Sequence, residues 1–326
     1  MLDGLGREIN YLRISVTDRC NLRCRYCMPE EGVELKEHGE ILRLEEIRRV
    51  VEIGAQVGIR KVRLTGGEPL IRRDLARLVG WISSIPQVDD VALTTNGVLF
   101  AGMAAELKAA GLHRVNVSLD TLDANKYRYI TRNGELNQVL QALEQALELG
   151  FHPVKLNTVI IRGFNDDEIM ELCRLAYTRP VHIRFIEFMP VGELQYWSSD
   201  KIISCEEIRQ NIEKHYRLTP GRVSRGNGPA KYYHMEGGQG SIGFISPMSN
   251  HFCNECNRLR LTADGKIRGC LYDEREIDVK KVLREGGSDE EIRKLFIRAI
   301  NMKPDRHQMN KNNWGRENRK MYQIGG

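Results

Sequence analysis

The sequence predicts an α/β protein: six strand–helix units forming a parallel sheet curled into a partial barrel, followed by a smaller α+β region. Three observations carry this expectation. From Leu12 to Phe188, short strand-like runs alternate with amphipathic helical stretches. Glycines punctuate the ends of those helical stretches, at Gly58, Gly111 and Gly150. Beyond Pro190 the alternation gives way to closely spaced strand signals.

Taken in order, strands are predicted at Leu12–Thr17, Lys61–Thr65, Asp90–Thr94, Arg114–Leu119, Val154–Ile160 and His182–Phe188. Helices between them are predicted at Leu44–Val57, Arg73–Ile85, Ala101–Ala110, Leu136–Leu149 and Asp166–Tyr177. Such an order implies parallel strands joined by right-handed crossovers. Six units make a partial TIM-type (βα)6 barrel, not a closed eight-stranded one. After Pro190 a helix over Cys205–Tyr216 precedes the Gly- and Pro-rich Pro220–Pro229. Strands follow at Lys231–Met235 and Ser241–Ile245. Arg258–Thr262 and Lys266–Leu271 then flank Asp264-Gly265, which reads as a hairpin turn. Two polar helices are expected near Asp278–Arg284 and Ser288–Met302. The division this suggests is a barrel over 1–222 and a second region over 223–326, and no repeat at a solenoid period is evident.

The 326 residues can hold one large domain and an appendage. Hydrophobic residues make up 41% and charged residues 29%, the balance of a soluble enzyme. No apolar run is long enough to span a bilayer, and the N-terminus lacks the layout of a signal peptide, so a cytoplasmic protein is expected. The formal charge of +5 is too small and too evenly spread for a nucleic-acid binder, but it suits a multiply charged anionic substrate. Only the stretch from Lys303 to Lys320 is locally basic and polar enough for a mobile tail.

Eight cysteines in a reducing compartment argue for metal binding or buried thiols. Cys173 and Cys205 lie in helical patterns and read as core. The other six form two sets. Cys20, Cys24 and Cys27 follow the first strand, on the loop where α/β enzymes place their chemistry. Three thiolates would leave one iron of a four-iron cluster open to another ligand. The alternative is a zinc loop that borrows a fourth ligand. Cys253, Cys256 and Cys270 form the second set, with the hairpin returning Cys270 toward the first pair. Here the alternative is a zinc knuckle using His251, which lies only two residues before Cys253, too close for comfortable tetrahedral ligation with it.

Basic residues fall on the strands. Arg258-Leu259-Arg260 places two guanidinium groups on one face of a strand. Arg13 and Arg63 sit on the first two strands, Lys155 and Arg184 on the fifth and sixth. A structural ion pair would account for one of them; the set suits an anion-binding cavity, and the Arg-x-Arg pair a triphosphate. Polar groups also close the strands: Thr65-Gly66-Gly67-Glu68-Pro69, Thr94-Thr95-Asn96-Gly97 and Ser118-Leu119-Asp120. Each could line a common mouth or cap the next helix.

The spacing Cys20-x3-Cys24-x2-Cys27, with aromatic Tyr26 before the last cysteine, resembles the signature of radical S-adenosylmethionine (SAM) enzymes. Along its whole length the chain resembles the MoaA family of GTP 3′,8-cyclases, which open molybdenum-cofactor biosynthesis. The resemblance runs through LRISVTDRCNLRCRYCMP, VRLTGGEP, LTTNG, VNVSLD, IRFIEFMP, the second cysteine set with NRLRLTADG, and terminal Gly325-Gly326. It implies that Cys20, Cys24 and Cys27 hold a [4Fe–4S] cluster that binds SAM. Tyr26, Gly67, Glu68, Ser118 and Met189 would contact SAM. Arg13, Arg63, Thr94, Lys155, Arg258, Leu259 and Arg260 would contact GTP, with Arg184 nearby. Cys253, Cys256 and Cys270 would hold a second [4Fe–4S] cluster meeting the guanine. Gly325 and Gly326 would insert toward the active site. The implied reaction takes hydrogen from the GTP ribose and joins its 3′ carbon to carbon 8 of the base. A low-potential electron donor, a homodimer and contact with cyclic pyranopterin monophosphate synthase are implied as partners, with no nucleic acid and no membrane.

Two other classes remain at this point. One is a different radical SAM enzyme with an auxiliary cluster, such as a peptide modifier, for which a longer C-terminal cysteine set is expected. The other is a zinc-dependent nucleic-acid-binding protein, which predicts a concentrated basic face.

Overall fold

A computed structural model describes the chain apart from residues 35, 223–227, 308–318 and 326. Six strands form the centre of the sheet: β1 (Tyr11–Ser15), β2 (Lys61–Thr65), β3 (Asp90–Thr95), β4 (Arg114–Ser118), β5 (Val154–Ile160) and β6 (Val181–Glu187). They are parallel and adjacent in chain order. The crossovers carry α1 (Leu44–Gln56), α2 (Leu75–Ser83), α3 (Phe100–Ala109), α4 (Ala124–Thr131), α5 (Leu136–Glu148) and α6 (Ile169–Thr178). The expected parallel α/β architecture is borne out; the short α4 was not expected from the sequence. Asp123 starts α4, its carboxylate accepting from Lys126 N at 2.8 Å.

The remaining elements are α7 (Cys205–Glu213), β7 (Leu218–Gly221), β8 (Lys231–Met235), β9 (Ser241–Ile245), β10 (Arg258–Leu261), β11 (Lys266–Arg268), β12 (Ile277–Asp278), α8 (Val279–Arg284), α9 (Asp289–Asn301) and α10 (Met321–Ile324). Their strands join both edges of the same sheet. β10 runs parallel beside β1, and β9 parallel beside β6, giving the order β12-β11-β10-β1-β2-β3-β4-β5-β6-β9-β8-β7. The expected hairpin at Asp264-Gly265 links β10 to β11.

Period-two alternation divides the strands between two environments. Leu12 and Ile14, Val62 and Leu64, Leu156, Ile183, Leu259 and Leu261 belong to the core under the helices. The opposite face carries Arg13, Arg63, Thr94, Asn116, Asn157, Arg184 and Arg260, and this polar face lines the barrel interior. Cross-strand register aligns Arg260, Arg13 and Arg63 on three neighbouring strands. Like charges opposite one another are unfavourable on a bare sheet, so this row of guanidinium groups suits an anion.

Candidate active site

The first cysteine loop leaves the C-terminal end of β1. Its shape is held from two sides. Arg23 N and Arg25 N donate to Thr131 O and Ile130 O at the end of α4, at 3.1 and 2.9 Å. Arg132 returns the contact, its Nη1 donating to Arg23 O and Met28 O at 2.7 and 2.9 Å. On the other side Gly67 N donates to Thr17 O and Glu68 N to Arg19 O, both at 2.8 Å. A Cβ on Gly67 would stand 2.3 Å from Arg19 O. Glycine is therefore required because the cysteine loop lies directly against this turn.

A cavity opens above this loop. Cys20, Cys24, Cys27, Tyr26, Gly67, Thr94, Ser118, Asp120 and Met189 all line it. Glu68 does not line it; the fully buried carboxylate sits beneath, accepting from Leu70 N (3.1 Å), Thr95 Oγ1 (2.7 Å) and Asn96 N (2.7 Å). Burial pushes its carboxyl up to about 7. Asn96 in turn donates to Asn21 Oδ1 at 2.8 Å, so Glu68 ties the end of β3 to the cysteine loop. Tyr26 donates its hydroxyl to Asp120 Oδ2 at 2.6 Å, and Val159 N donates to the other oxygen at 2.9 Å.

All three thiols belong to this wall. Burial first, and the neighbouring thiols second, push Cys24 well up and Cys27 up to about 12; burial lifts Cys20 to about 11. Three thiolates become stable together only beside a cationic group, and soft sulfur donors with one open position fit an iron–sulfur cluster. Among the described residues no three His, Cys, Asp or Glu side chains close on a single ion.

A second cavity lies beside the first. Arg13, Arg63, Arg184, Arg258 and Arg260 line it, together with Cys253, Cys256 and Cys270. Arg63 Nη1 donates to Thr94 Oγ1 at 3.3 Å and Arg184 Nη2 to Asn116 Oδ1 at 2.8 Å. Asn116 also donates to Thr94 Oγ1 at 3.3 Å, so this buried amide spaces the two arginines. Arg63 Nε and Arg184 Nε are buried with no hydrogen-bond partner among the described residues. Burial draws Arg63 and Arg260 down to about 10, and lowers Arg13 well below its ordinary value with Arg260 and Arg63 adding repulsion. A polyanion would relieve both the repulsion and the unsatisfied donors. Lys155 is buried on the same strand face as Asn157, in register with Asn116, but outside the residues lining either cavity; burial and then Arg184 bring it down to about 6. Leu259 is fully buried in the core and also lines neither cavity.

Lys303 stands behind the second cysteine set. Its Nζ donates to Gly269 O (2.7 Å), Arg258 O (2.9 Å) and Cys256 Sγ (3.3 Å). Burial opposes ionisation of Cys256, but Arg258 and Lys303 outweigh it and draw the thiol down to about 6. Arg7 Nη1 holds Cys253 O at 2.9 Å. His251, the candidate zinc ligand, engages Pro247 O through Nδ1 at 2.8 Å and packs edge-on against His307.

The C-terminus lies over the junction of the cavities. Arg319 forms ion pairs with Asp264 (2.9 Å) and Glu276 (2.6 Å), and Lys320 pairs with Glu193. Met321 of α10 lines both cavities. Arg260 Nη1 donates to Gly325 O at 2.7 Å. Gly325 has φ 83°, and a Cβ there would stand 2.7 Å from Thr65 Cγ2. Gly326 lies outside the described residues.

Several residues that shape this site were not singled out from sequence: Asn116, Asn157, Glu187 and Lys303. Asn116 lies within VNVSLD and Glu187 within IRFIEFMP, but neither position was picked out from its motif, and Asn157 lies outside every quoted motif. Their one sequence signal is a polar residue inside an apolar strand run, where burial without a partner is costly.

Residues 14–176 match the model of the Radical SAM superfamily, and residues 181–309 match Molybdenum Cofactor Synthesis C. A GTP 3′,8-cyclase of Syntrophomonas wolfei subsp. wolfei is 61% identical over 327 residues, covering 100% of both chains. A GTP 3′,8-cyclase of Pelotomaculum thermopropionicum is 56% identical over the same span and coverage. Among solved structures, Streptococcus suis SuiB aligns at a TM-score of 0.61 with 13% identity, covering 84% of this chain and 64% of that one. That likeness concerns the fold alone. Identity of this order along the full length, together with both matched models, establishes that the chain belongs to the GTP 3′,8-cyclase family within the radical SAM superfamily.

Proposed function

We propose that this protein cyclises GTP to (8S)-3′,8-cyclo-7,8-dihydroguanosine 5′-triphosphate with SAM as co-substrate, the first step of molybdenum-cofactor biosynthesis. The observation that carries the reading is the pair of adjoining cavities. One is walled by a cysteine triad and polar strand ends, the other by a second triad and five arginines. Cys20, Cys24 and Cys27 would hold one [4Fe–4S] cluster, and Cys253, Cys256 and Cys270 a second. Bound there, the first cluster would supply an electron to SAM, and SAM the carbon-centred radical that takes a hydrogen atom from the ribose.

The chain's own residues do the placing. Arg13, Arg63, Arg184, Arg258 and Arg260 would bind the triphosphate through charge-assisted hydrogen bonds, far from the reacting carbons, so that remote binding energy positions the ribose. Thr94 and Asn116 keep Arg63 and Arg184 apart and oriented. Tyr26, Gly67, Ser118 and Met189 would contact SAM, and Glu68 and Asp120 would steady their loop. Met321, Tyr322 and Gly325 would cover the reacting centre and exclude water. Residues 1–222 would form the radical-generating barrel, and 223–326 the region bearing the second cluster and much of the substrate site; the boundary adjoins residues 223–227, outside the described ones.

A low-potential electron donor is required by the chemistry. The thiol-rich sites suit a reducing cytoplasm, and no helix among the described residues is long and apolar enough to cross a membrane. A homodimer and delivery of product to cyclic pyranopterin monophosphate synthase complete the proposal. Anaerobic reconstitution with iron and sulfide, followed by GTP, SAM and a strong reductant, tests the reading by mass spectrometry. A cyclised isomer of GTP with 5′-deoxyadenosine is expected. Formation of 5′-deoxyadenosine from an intact two-cluster enzyme with GTP unchanged would overturn the substrate assignment. Arg258→Ala is expected to impair cyclisation while leaving the first cluster assembled.

A further inference from the structure

A groove beside the N-termini of α1 and α2 has no part in the two cavities. It is lined by Thr17 and Arg19, which lead into Cys20, and by the segments that open α1 and α2. Cys20 itself lines the first cavity. The groove and the first thiol thus lie at the two ends of one short piece of chain. Five of the groove's residues are arginines: Arg19, Arg43, Arg72, Arg73 and Arg77. Against them stand Glu45 and Asp74. Arg77 pairs with Glu45 at 3.6 Å, but both side chains are more than half exposed, so water and salt loosen the pair. Burial, and then the charge on Arg19, hold Arg72 below its ordinary value. The two helix N-termini add partial positive charge at the same place. The whole chain carries a net charge of only +5, so an excess of three in one groove (five minus two) is a local concentration.

Its position gives this excess a use. The reaction begins with an electron that protein side chains do not supply. Electron transfer slows steeply with distance, so a donor must come close to the first cysteine triad. On the cavity side, Met321 and Tyr322 of α10 stand in the way. One flank of the cysteine loop is packed on the end of α4 through Arg23 N and Arg25 N. The arginine groove lies on the other flank, where Thr17 and Arg19 reach it.

We propose that this groove is the docking site of a small acidic protein carrying a low-potential one-electron centre, which reduces the first cluster across residues 17–20. One electron leaves the donor and enters the oxidised cluster; no bond is made and no proton moves. The inference rests on the cyclase reading above and names the class of donor and the face it meets. Carboxylates around the donor's redox centre would meet the arginines, which steers the encounter and makes it sensitive to ionic strength.

The test compares the reconstituted wild-type protein with three double variants, each checked for circular dichroism and iron content. Arg73→Glu with Arg77→Glu reverses charge in the groove at two exposed positions. Arg73→Lys with Arg77→Lys keeps the charge. Arg174→Glu with Lys214→Glu makes the same change in net charge at exposed positions on α6 and just after α7. An acidic flavodoxin and an acidic ferredoxin serve as protein donors, and excess dithionite as a small reductant that needs no docking. Calorimetry with the oxidised donors gives dissociation constants, and 5′-deoxyadenosine formation with the reduced donors gives turnover. Reversal in the groove is expected to weaken donor binding and donor-driven turnover about 10-fold at low salt, and less at high salt. Dithionite-driven turnover and iron content should stay at wild type, and the other two variants should match wild type throughout. Equal donor constants in wild type and the groove reversal overturn the proposal. So does an equal loss in the distant reversal, a parallel loss with dithionite, or failure of both protein donors to bind the wild type. Should the double reversal fail to fold, each single reversal is expected to cost about 3-fold. Failure of the wild-type protein to cyclise GTP with dithionite would instead sink the cyclase reading, while the donor constants still judge the groove.

Discussion

Glu187 ends β6 with no exposure to solvent and gathers donors from two distant segments. Its Oε1 accepts from Cys205 N at 2.9 Å and from the Ser249 hydroxyl. Its Oε2 accepts from Met248 N at 2.8 Å and Ser249 N at 2.9 Å. Glu187→Gln keeps the shape and replaces one acceptor oxygen by an NH2 group. Placed at Oε2, that group would face two backbone donors. Placed at Oε1, it faces one, because the Ser249 hydroxyl can turn and accept. The second arrangement is cheaper and leaves Cys205 N–H unsatisfied, at about 1–3 kcal/mol. The two bonds to the remaining oxygen lose their charge assistance, at about 1 kcal/mol together. The expected destabilisation is about 3 kcal/mol, read as a lowered urea midpoint in the cluster-free protein. The same substitution loosens the loop from Ser246 that leads to Cys253. Iron bound after reconstitution should therefore fall from about eight per chain toward about four. An unfolding midpoint within error of wild type, together with full iron content, would refute the reasoning.

The clasp on the C-terminus predicts that Arg319→Ala frees the tail: carboxypeptidase trimming should quicken several-fold and cyclisation fall about 10-fold, with iron content retained. Equal trimming rates would show that Asp264 and Glu276 do not anchor it. The folded-state position of Asp264 is depressed; burial opposes this, but Arg319 and Thr262 outweigh it. The clasp should thus hold above the ordinary carboxylate range and weaken as pH falls below it. His182 is drawn down to about 4 by burial and then by Lys155, while its Nδ1 shares a hydrogen bond with Ser241 Oγ at 2.7 Å. Below its unfolded value of about 6.5 the unfolded chain binds a proton that the folded chain refuses. Stability should fall as pH drops from about 6.5 to about 4, by at most about 3 kcal/mol. His182→Asn should flatten that slope in denaturant titrations, and an unchanged slope would place the acid sensitivity elsewhere. Lys303→Met removes a cation 3.3 Å from Cys256 Sγ and orphans two carbonyls. It should shift the second cluster to a more negative reduction potential and lower its iron retention, while the first cluster is untouched. Identical potentiometric titrations in wild type and variant would exclude Lys303 from that role.

What the sequence by itself determined was local. The cysteine loop, the glycine turn at Gly66-Gly67 and the period-two strands are legible because each is set by neighbours within a few residues. Spacing groups the cysteines into two triads, and alternation places Arg258 and Arg260 on one face. The hairpin at Asp264-Gly265 was readable for the same reason. Only the tertiary structure decided what those pieces meet. Pairing of β10 with β1 brings Arg260 beside Arg13 across more than two hundred residues, and nothing local in either segment encodes that neighbour. The same holds for Glu187, whose donors come from 18 and 61 or 62 residues away. Lys303 read as the start of a basic tail, yet it is buried against Cys256, because its charge is satisfied by carbonyls that only the folded sheet supplies. Asn157 carries no motif at all; only the fold places it in the lining of both cavities. Long-range pairing selects among many locally acceptable arrangements by burial and charge compensation, and those terms exist only once the chain has closed on itself.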